Sequence, residues 1–195
     1  GADDGSVVDG GQTSTITISI DDANSNDSFD GVTDQTVTVT TTDDDVAGFT
    51  IVELDGSTEV DESGSTDTFT VVLDAQPTSN VVISLSSNDG SEISIPSSLT
   101  FTNANWDTPQ TVTVTGVDDS IIDGTITSTI TVAVDDANSD DDFDAVADQT
   151  VSVDTTDDDV AGFTIVELDG ATEVDESGTT DTFTVVLDAQ PSDNV

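Results

Sequence analysis

The chain contains no lysine, arginine or histidine, and it also lacks cysteine, methionine and tyrosine. Its 195 residues include 43 aspartates and glutamates, so the formal net charge is −43. Nucleic acid binding is therefore excluded, because no cationic side chain can replace the counterions of phosphate groups. An anionic membrane surface would repel the chain for the same reason. The absence of cysteine excludes a disulfide framework and thiol chemistry.

Long apolar runs are missing as well, and none approaches the roughly 20 residues that span a bilayer, so we expect no membrane insertion in this segment. Serine and threonine are abundant, but without histidine or lysine no general base is available to activate them. Carboxylate pairs could serve a glycosidase, yet pairs that recur in every repeat favour a structural role. We therefore predict that the chain is not an enzyme.

The sequence repeats itself at an offset of 114 residues. Residues 43–81 return at residues 157–195 with four substitutions, and the segment beginning at Thr13 returns at Thr127. A unit of this length suits one sandwich domain better than a solenoid repeat. The sequence predicts three parts: the end of one repeat (1–45), a complete repeat (46–159) and the start of the next (160–195). We interpret the chain as a piece of a longer tandem array.

Apolar residues within the complete unit alternate with threonine and serine, which is typical of half-buried strands and argues against disorder. Representative sets are Phe69 with Val71, Val112 with Val114, and Ile130 with Val132. Asp-Gly and proline turn signals separate these sets, and no segment has helical spacing. The sequence predicts an all-β protein of tandem Ig-like antiparallel β-sandwich domains, with about seven strands per repeat.

Three loops of the repeat hold more acid than solubility requires. The predicted metal ligands from these loops and their repeats are Asp118, Asp119, Asp123, Asp157, Asp158, Asp159, Asp43, Asp44, Asp45, Asp136, Asn138 and Asp140. Ca²⁺ accepts six to eight oxygen ligands in flexible geometry, whereas Mg²⁺ requires stricter octahedral order and Zn²⁺ prefers His or Cys. We therefore predict Ca²⁺ as the cofactor. The alternative is that each acidic run is simply a solvated surface.

The topology of a sandwich places these loops at its two ends. The loop after the fifth strand lies where the last strand leaves the domain, so we expect Asp118, Asp119 and Asp123 to meet residues 157–159. Glu62, before the second strand, is expected to join them. The loop at residues 135–144 lies at the opposite end and would face the boundary aspartates of the preceding repeat. Its Asp136-x-Asn138-x-Asp140 spacing resembles a calcium loop but lacks the Gly and distal Glu of an EF-hand.

These motifs in order resemble the Calx-β domain, in the form found in giant bacterial surface proteins. The matching segments are VDESG at 60–64, FTV at 69–71, LTF at 99–101, TVTV at 111–114, the acid pair at 118–119 and the closing triple aspartate. The resemblance covers residues 46–159 and implies Ca²⁺ binding at one pole by Glu62, Asp118, Asp119, Asp123 and residues 157–159. It adds Asp89 as a further candidate. In the flanking partial repeats, the further candidates are Asp3, Asp4, Asp9, Asp22, Asn24 and Glu176.

Two functions are compatible with this sequence. The first is a structural calcium-binding repeat that forms a stiff extracellular filament or adhesin stalk, whose partners are neighbouring repeats and other copies in a matrix. The second is an adhesive module that recognises a surface or glycan. Near-identical repeats favour the first, and the millimolar Ca²⁺ outside cells favours a secreted, cell-surface location. Trp106 is the only tryptophan; it is interpreted as a core-edge aromatic, with a carbohydrate platform as the alternative.

Overall fold

A computed structural model describes residues 5–191 and 193–195 of the chain. Its regular structure consists of β-strands and three short 3-10 helices. The strands are β1 Val7–Val8, β2 Gln12–Ile18, β3 Gln35–Thr41, β4 Phe49–Glu53, β5 Thr58–Asp61, β6 Thr66–Leu73, β7 Gln76–Pro77, β8 Val81–Ser87, β9 Ile93–Ser94, β10 Ser98–Phe101, β11 Gln110–Gly116, β12 Ile126–Val134, β13 Gln149–Thr156, β14 Phe163–Glu167 and β15 Phe183–Leu187. The 3-10 helices are Asp27–Phe29, Asp136–Asn138 and Asp141–Phe143.

Two facing sheets form a β-sandwich, and all their strands lie inside the predicted unit 46–159. One sheet has the order β10-β8-β12-β13-β5 and the other the order β4-β6-β11-β9. This arrangement confirms the predicted all-β class and Ig-like sandwich. One pairing departs from the antiparallel pattern, because β5 runs parallel to β13. The sequence analysis did not identify β5 as a strand, since Val60 is the only apolar residue in its four positions.

Alternation along the strands produces the core. In β6, Phe69, Val71 and Leu73 are at most 2% exposed, while the intervening threonine and valine side chains are only half-buried. The facing sheet supplies Ile83 from β8 and Ile130 from β12, both fully buried. Side chains of successive strand residues point to opposite faces, so this pattern fixes the register that the sequence predicted.

The flanking parts of the chain repeat pieces of this sandwich. Hairpin β2–β3 corresponds to β12–β13, and β14–β15 corresponds to β4 with β6. Their apolar residues lack the second sheet that covers the central unit: Ile16 is 53% exposed, whereas its counterpart Ile130 is fully buried. This contrast is what partial repeats would produce.

Candidate metal centre

Three loops meet at one end of the sandwich because of strand pairing. The parallel pairing of β5 with β13 brings Asp61 beside Thr156, and the N–H of Glu62 donates to the Thr156 carbonyl at 3.1 Å. The end of β11 joins them, since the Gly116 N–H donates to the Ser65 carbonyl at 3.0 Å. A Cβ at Gly116 would lie 2.0 Å from the Asp61 carbonyl oxygen, so only glycine allows this close approach.

Carboxylates from these loops form two overlapping groups that share Glu62. The first contains Glu62, Asp119 and Asp159, and the second contains Glu62, Glu92 and Asp123. Within each group, carboxylate oxygens lie within 4.8 Å of one another. We call these five residues together with Asp157 the acidic pole. Since no lysine, arginine or histidine exists in the chain, only a cation from solvent or a bound proton can neutralise them.

Burial makes this concentration of negative charge costly. Glu62 is 1% exposed and Glu92 is 4% exposed, yet neither side chain is fully hydrogen-bonded. One oxygen of each (Oε2) is buried without a hydrogen-bond partner, and so is Oδ2 of Asp159. A buried carboxylate with an unsatisfied oxygen is strongly unfavourable unless a cation or a proton accompanies it. These three oxygens are therefore the atoms of the acidic pole that would gain most from a cation or a proton.

Burial and neighbouring negative charges also raise the pKa values of three carboxyl groups of the acidic pole. Burial, followed by the charges of Asp119 and Glu92, raises the pKa of Glu62 to about 7. Burial and the charge of Asp123 raise the pKa of Glu92, and burial with the charge of Asp157 raises that of Asp159. Each of these carboxyl groups thus holds a proton more tightly in the metal-free fold than it does in water.

Asp157 and Asp119 have a second role, which is to hold the backbone of the loops. Asp157 accepts hydrogen bonds from the N–H groups of Asp123, Gly124 and Asp159 at 2.8–3.0 Å. The Gly124 and Asp159 hydrogen bonds lower the pKa of Asp157. Asp119 Oδ1 accepts from the Ile121 N–H at 2.6 Å. These two side chains therefore fix the conformation of the loop in addition to contributing negative charge.

The donor set fits Ca²⁺ chemically. All candidate ligands are carboxylate oxygens, several loops contribute, and two glutamates are long enough to adjust. Zn²⁺ would require nitrogen or sulfur ligands, which this chain cannot supply. Glu62, Glu92, Asp119, Asp123 and Asp159 would hold the ion, with the orphaned oxygens of Glu62, Glu92 and Asp159 as first contributors.

Solved structures that resemble this chain include the apo form of the Calx CBD1 domain, with 15% identity and a TM-score of 0.43. That match covers 59% of this chain and 100% of the CBD1 chain. CBD12 from CALX1.2 is similar with 14% identity, 71% and 69% coverage and a TM-score of 0.41. The surface layer protein SbsC, domains 1–6, is similar with 14% identity, 91% and 25% coverage and a TM-score of 0.39.

Calx domains therefore occur among the structural neighbours, as the sequence resemblance implied. No protein-family model matches the sequence, and no curated relative matches it. Similarities with TM-scores below 0.5 do not assign a function, so the functional case depends on the acidic pole itself. In the described part of the chain, no helix is long and apolar enough to cross a bilayer.

Several predicted ligands lie at this pole but outside the two groups. Asp118 and Asp158 are exposed. Asp89 is half-buried, and its carboxylate accepts hydrogen bonds from the N–H and hydroxyl of Ser91, which lower its pKa. Its charge contributes to the raised pKa of Glu92. These residues surround the acidic pole without completing it.

Glu92 is the residue that sequence reasoning missed. It lies between the Asn-Asp-Gly turn and the two-residue strand β9, and no run of acids marks it. The signal available was a lone glutamate placed immediately before an inward-facing isoleucine, Ile93. Pairing of β9 with β11 draws Glu92 inward, since the Val117 N–H donates to its carbonyl at 2.9 Å.

In the loop at residues 135–144, Asp140 accepts hydrogen bonds from its own repeat. Asp140 is 5% exposed and accepts from the Thr78 hydroxyl and the Ser79 N–H, both at 2.7 Å. Burial alone would raise the pKa of Asp140, but these hydrogen bonds and that from Asp142 lower it. Asp136 and Asn138 are exposed in a 3-10 helix. Neither Asp136 nor Asp140 belongs to an acidic group among the described residues.

The partial repeat before the central sandwich has one acidic group and some of the same loop hydrogen bonds. Asp43, Asp44 and Asp45 form a third acidic group, and Asp43 accepts from the N–H groups of Asp9 and Gly10. The Asp45 and Gly10 N–H groups lower the pKa of Asp43. The remaining candidates Asp22, Asn24 and Glu176 are exposed, and Asp3 and Asp4 lie outside the described residues.

The loop at residues 135–144 does approach the preceding repeat. Burial, and then the charges of Asp140 and Asp43, raise the pKa of Asp142. A Cβ at Gly10 would lie 3.9 Å from Asp142 Oδ1.

Trp106 is half-buried and packs against the hydrophobic core. This is the position of a core-edge aromatic, which the sequence analysis favoured over a carbohydrate platform.

Proposed function

We propose that the chain is part of a structural calcium-binding array, an extracellular filament or adhesin stalk in which each repeat binds Ca²⁺ at its acidic pole. The observation that carries the proposal is Glu62: a glutamate that is 1% exposed, has an unpartnered oxygen and faces Asp119, Asp123, Asp159 and Glu92. Buried carboxylates that have no cationic side chain beside them destabilise the folded state, and a bound cation would remove that cost.

Calcium is favoured over other cations by the flexibility of the site. Its carboxylates come from four segments of the chain and from both sheets, and such a set can supply many oxygens without strict octahedral geometry. The weak point of the metal-free fold is repulsion among these groups, and an ion removes it. Ca²⁺ at millimolar concentration is available outside cells, which supports an extracellular location for the array.

A mechanical role follows from the position of the site. Residues 157–159 follow directly on β13, and the predicted next repeat begins at residue 160. An ion held by Asp159 together with Glu62 and Asp119 would fix the direction in which the chain leaves the sandwich. An ion bound in this way once every 114 residues would make a tandem array stiff.

The test is thermal unfolding of the whole chain in Ca²⁺ and in EDTA, followed by the fluorescence of Trp106. This single tryptophan packs against the core of the complete sandwich, so it reports on that unit alone. Binding to the native state alone stabilises it by about 2.7 kcal/mol at a hundredfold excess over the Kd. We therefore expect a higher Tm in Ca²⁺.

The decisive variant is Glu62→Gln, which keeps the shape and removes the charge. It should lose most of the calcium-dependent rise in Tm. Glu59→Gln is the matched control, because Glu59 lies on β5, the strand that Glu62 directly follows, and has an exposed side chain. If Ca²⁺ leaves the Tm of the unmodified chain unchanged, the acidic pole does not bind Ca²⁺ and the proposal fails.

A further inference from the structure

Each repeat meets its neighbour through a contact that appears twice in the chain. The two-residue strand β1 (Val7–Val8) pairs in parallel with β7 of the central sandwich, and the Gln76 N–H donates to the Ser6 carbonyl at 2.6 Å. At an offset of 114 residues, Ile121 bridges Gln190 in parallel. There the Gln190 N–H donates to the Ser120 carbonyl, again at 2.6 Å.

The apolar side chain that follows this bridge enters the next sandwich. Val8 is 7% exposed and belongs to the same core cluster as Phe49, Leu73 and Ala75. At the second junction, Ile122 lines one groove with Phe163, Leu187, Ala189 and Pro191. Three of these residues are the repeat counterparts of Phe49, Leu73 and Ala75. Ile122 is 40% exposed there, where residues 160–195 supply only part of a sandwich.

The segment that makes this contact also carries the acidic pole. We call residues 117–125, between β11 and β12, the connector loop. Asp119 and Asp123 flank Ile121 and Ile122 within it. Asp119 Oδ1 binds the Ile121 N–H, and Asp157 binds the N–H groups of Asp123 and Gly124. The carboxylates turn toward their own repeat while the isoleucines reach the following one.

We propose that the connector loop is the docking element between repeats: its Ile121–Ile122 pair closes the core of the next copy, and a cation at the acidic pole stabilises that docking. The partner is the next repeat of the same chain. The docking half depends only on the recurring contact. The coupling half rests on the proposed calcium function, because the ion and the isoleucines share one loop and must therefore favour the same loop conformation.

The docking half is tested with Val8→Ala in the whole chain. Val8 comes from the preceding repeat, so removing its methyl groups should matter to the central sandwich only if docking stabilises it. We expect the Tm reported by Trp106 to fall by about 3–8 °C. Val37→Ala is the matched control, a valine of the same partial repeat that is 48% exposed. Equal Tm values for the two variants would overturn the docking element.

The coupling half is tested by amide hydrogen exchange in the chain labelled with ¹⁵N-glutamine, which gives six signals. Ca²⁺ should slow exchange of Gln190 several-fold, because its partner Ser120 lies in a connector loop with a complete acidic pole. Gln76 is the internal control: its partner Ser6 precedes Asp9 and Asp43, whose repeat has no counterparts of Glu62 or Glu92 in this chain. Its exchange should not respond to Ca²⁺.

Glu62→Gln should abolish the calcium response of Gln190 and leave Gln76 unchanged. If Ca²⁺ raises the Tm of the central sandwich but does not slow Gln190, the coupling is wrong while the calcium function stands. If Ca²⁺ alters neither the Tm nor the exchange of Gln190, both the calcium function and the coupling are wrong. The Val8→Ala comparison decides the docking element in either case.

Discussion

The carboxylate of Asp157 accepts a hydrogen bond from the backbone N–H of Asp123 at 3.0 Å, and the same bond joins Asp43 to Asp9 at 3.0 Å one repeat earlier. At both positions, an aspartate that follows the last strand of its repeat holds the far end of the connector loop or of its counterpart. A side chain used in this way fixes the geometry of the pole before any ion arrives. Adjacent acids in one run can therefore have different roles.

A first prediction separates those roles within the closing triple aspartate. Asp157→Ala should lower both the Tm and the calcium-dependent gain in Tm, because it frees the N–H groups of Asp123 and Gly124. Asp158→Ala should change neither by comparison, since Asp158 is exposed and outside both acidic groups. Trp106-monitored melting in Ca²⁺ and in EDTA measures both effects. Identical losses in the two variants would mean that total charge, rather than loop geometry, controls the pole.

The sequence located this pole through topology alone. Placing the loop after the fifth strand at the exit of the last strand predicted that Asp118, Asp119 and Asp123 would meet residues 157–159. The structure brings Asp119, Asp123, Asp157 and Asp159 together, whereas Asp118 and Asp158 are exposed. Glu92 could not be found in this way. Its inward position depends on a two-residue strand whose pairing with β11 has no periodic signal, and a lone glutamate in a highly acidic chain is unremarkable.

A second prediction concerns the core. Phe69 is fully buried between the sheets, so Phe69→Ala should destabilise the sandwich by about 3–5 kcal/mol. Thr113→Ala lies on an exposed face of β11 and should change stability by no more than about 0.5 kcal/mol. Urea unfolding followed by Trp106 fluorescence gives both values. Similar costs would contradict the register in which Val112 pairs with Phe69.

A third prediction addresses the loop whose spacing resembled a calcium site. Asp140→Ala removes hydrogen bonds to the Thr78 hydroxyl, the Ser79 N–H and the Asp142 N–H, so it should cost about 1.5–3 kcal/mol with or without Ca²⁺. Asp136→Ala, at an exposed position of the same loop, is the control. A calcium-dependent loss at Asp140 would show instead that it is a ligand.

This loop shows the limit of spacing arguments. Alternate oxygen-bearing residues at Asp136, Asn138 and Asp140 match a calcium loop by count, but spacing does not reveal which oxygens are already engaged. Thr78 and Ser79 lie more than 60 residues away in sequence, and only the folded chain brings them to Asp140. Strand alternation, by contrast, depends on neighbours two residues apart, and for that reason the core was predictable.

The last prediction is an unusual pH dependence in the absence of metal. The folded-state pKa of Glu62 is about 7, well above its ordinary value, because burial and neighbouring carboxylates disfavour the charge. Between its ordinary value and pH 7 the folded chain therefore binds more protons than the unfolded chain, and stability must fall as the pH rises. Asp157 and Asp140 act oppositely, since their pKa values are lowered, but their effect is confined to pH below about 4.

In EDTA the free energy of unfolding should thus be greater at pH 5 than at pH 7.5. Glu62→Gln should flatten this difference and Glu59→Gln should preserve it. Excess Ca²⁺ should reduce or reverse it, because the ion replaces the proton at the ionised cluster. A free energy of unfolding in EDTA that rises between pH 5 and pH 7.5 would contradict a raised pKa of Glu62 in the folded chain.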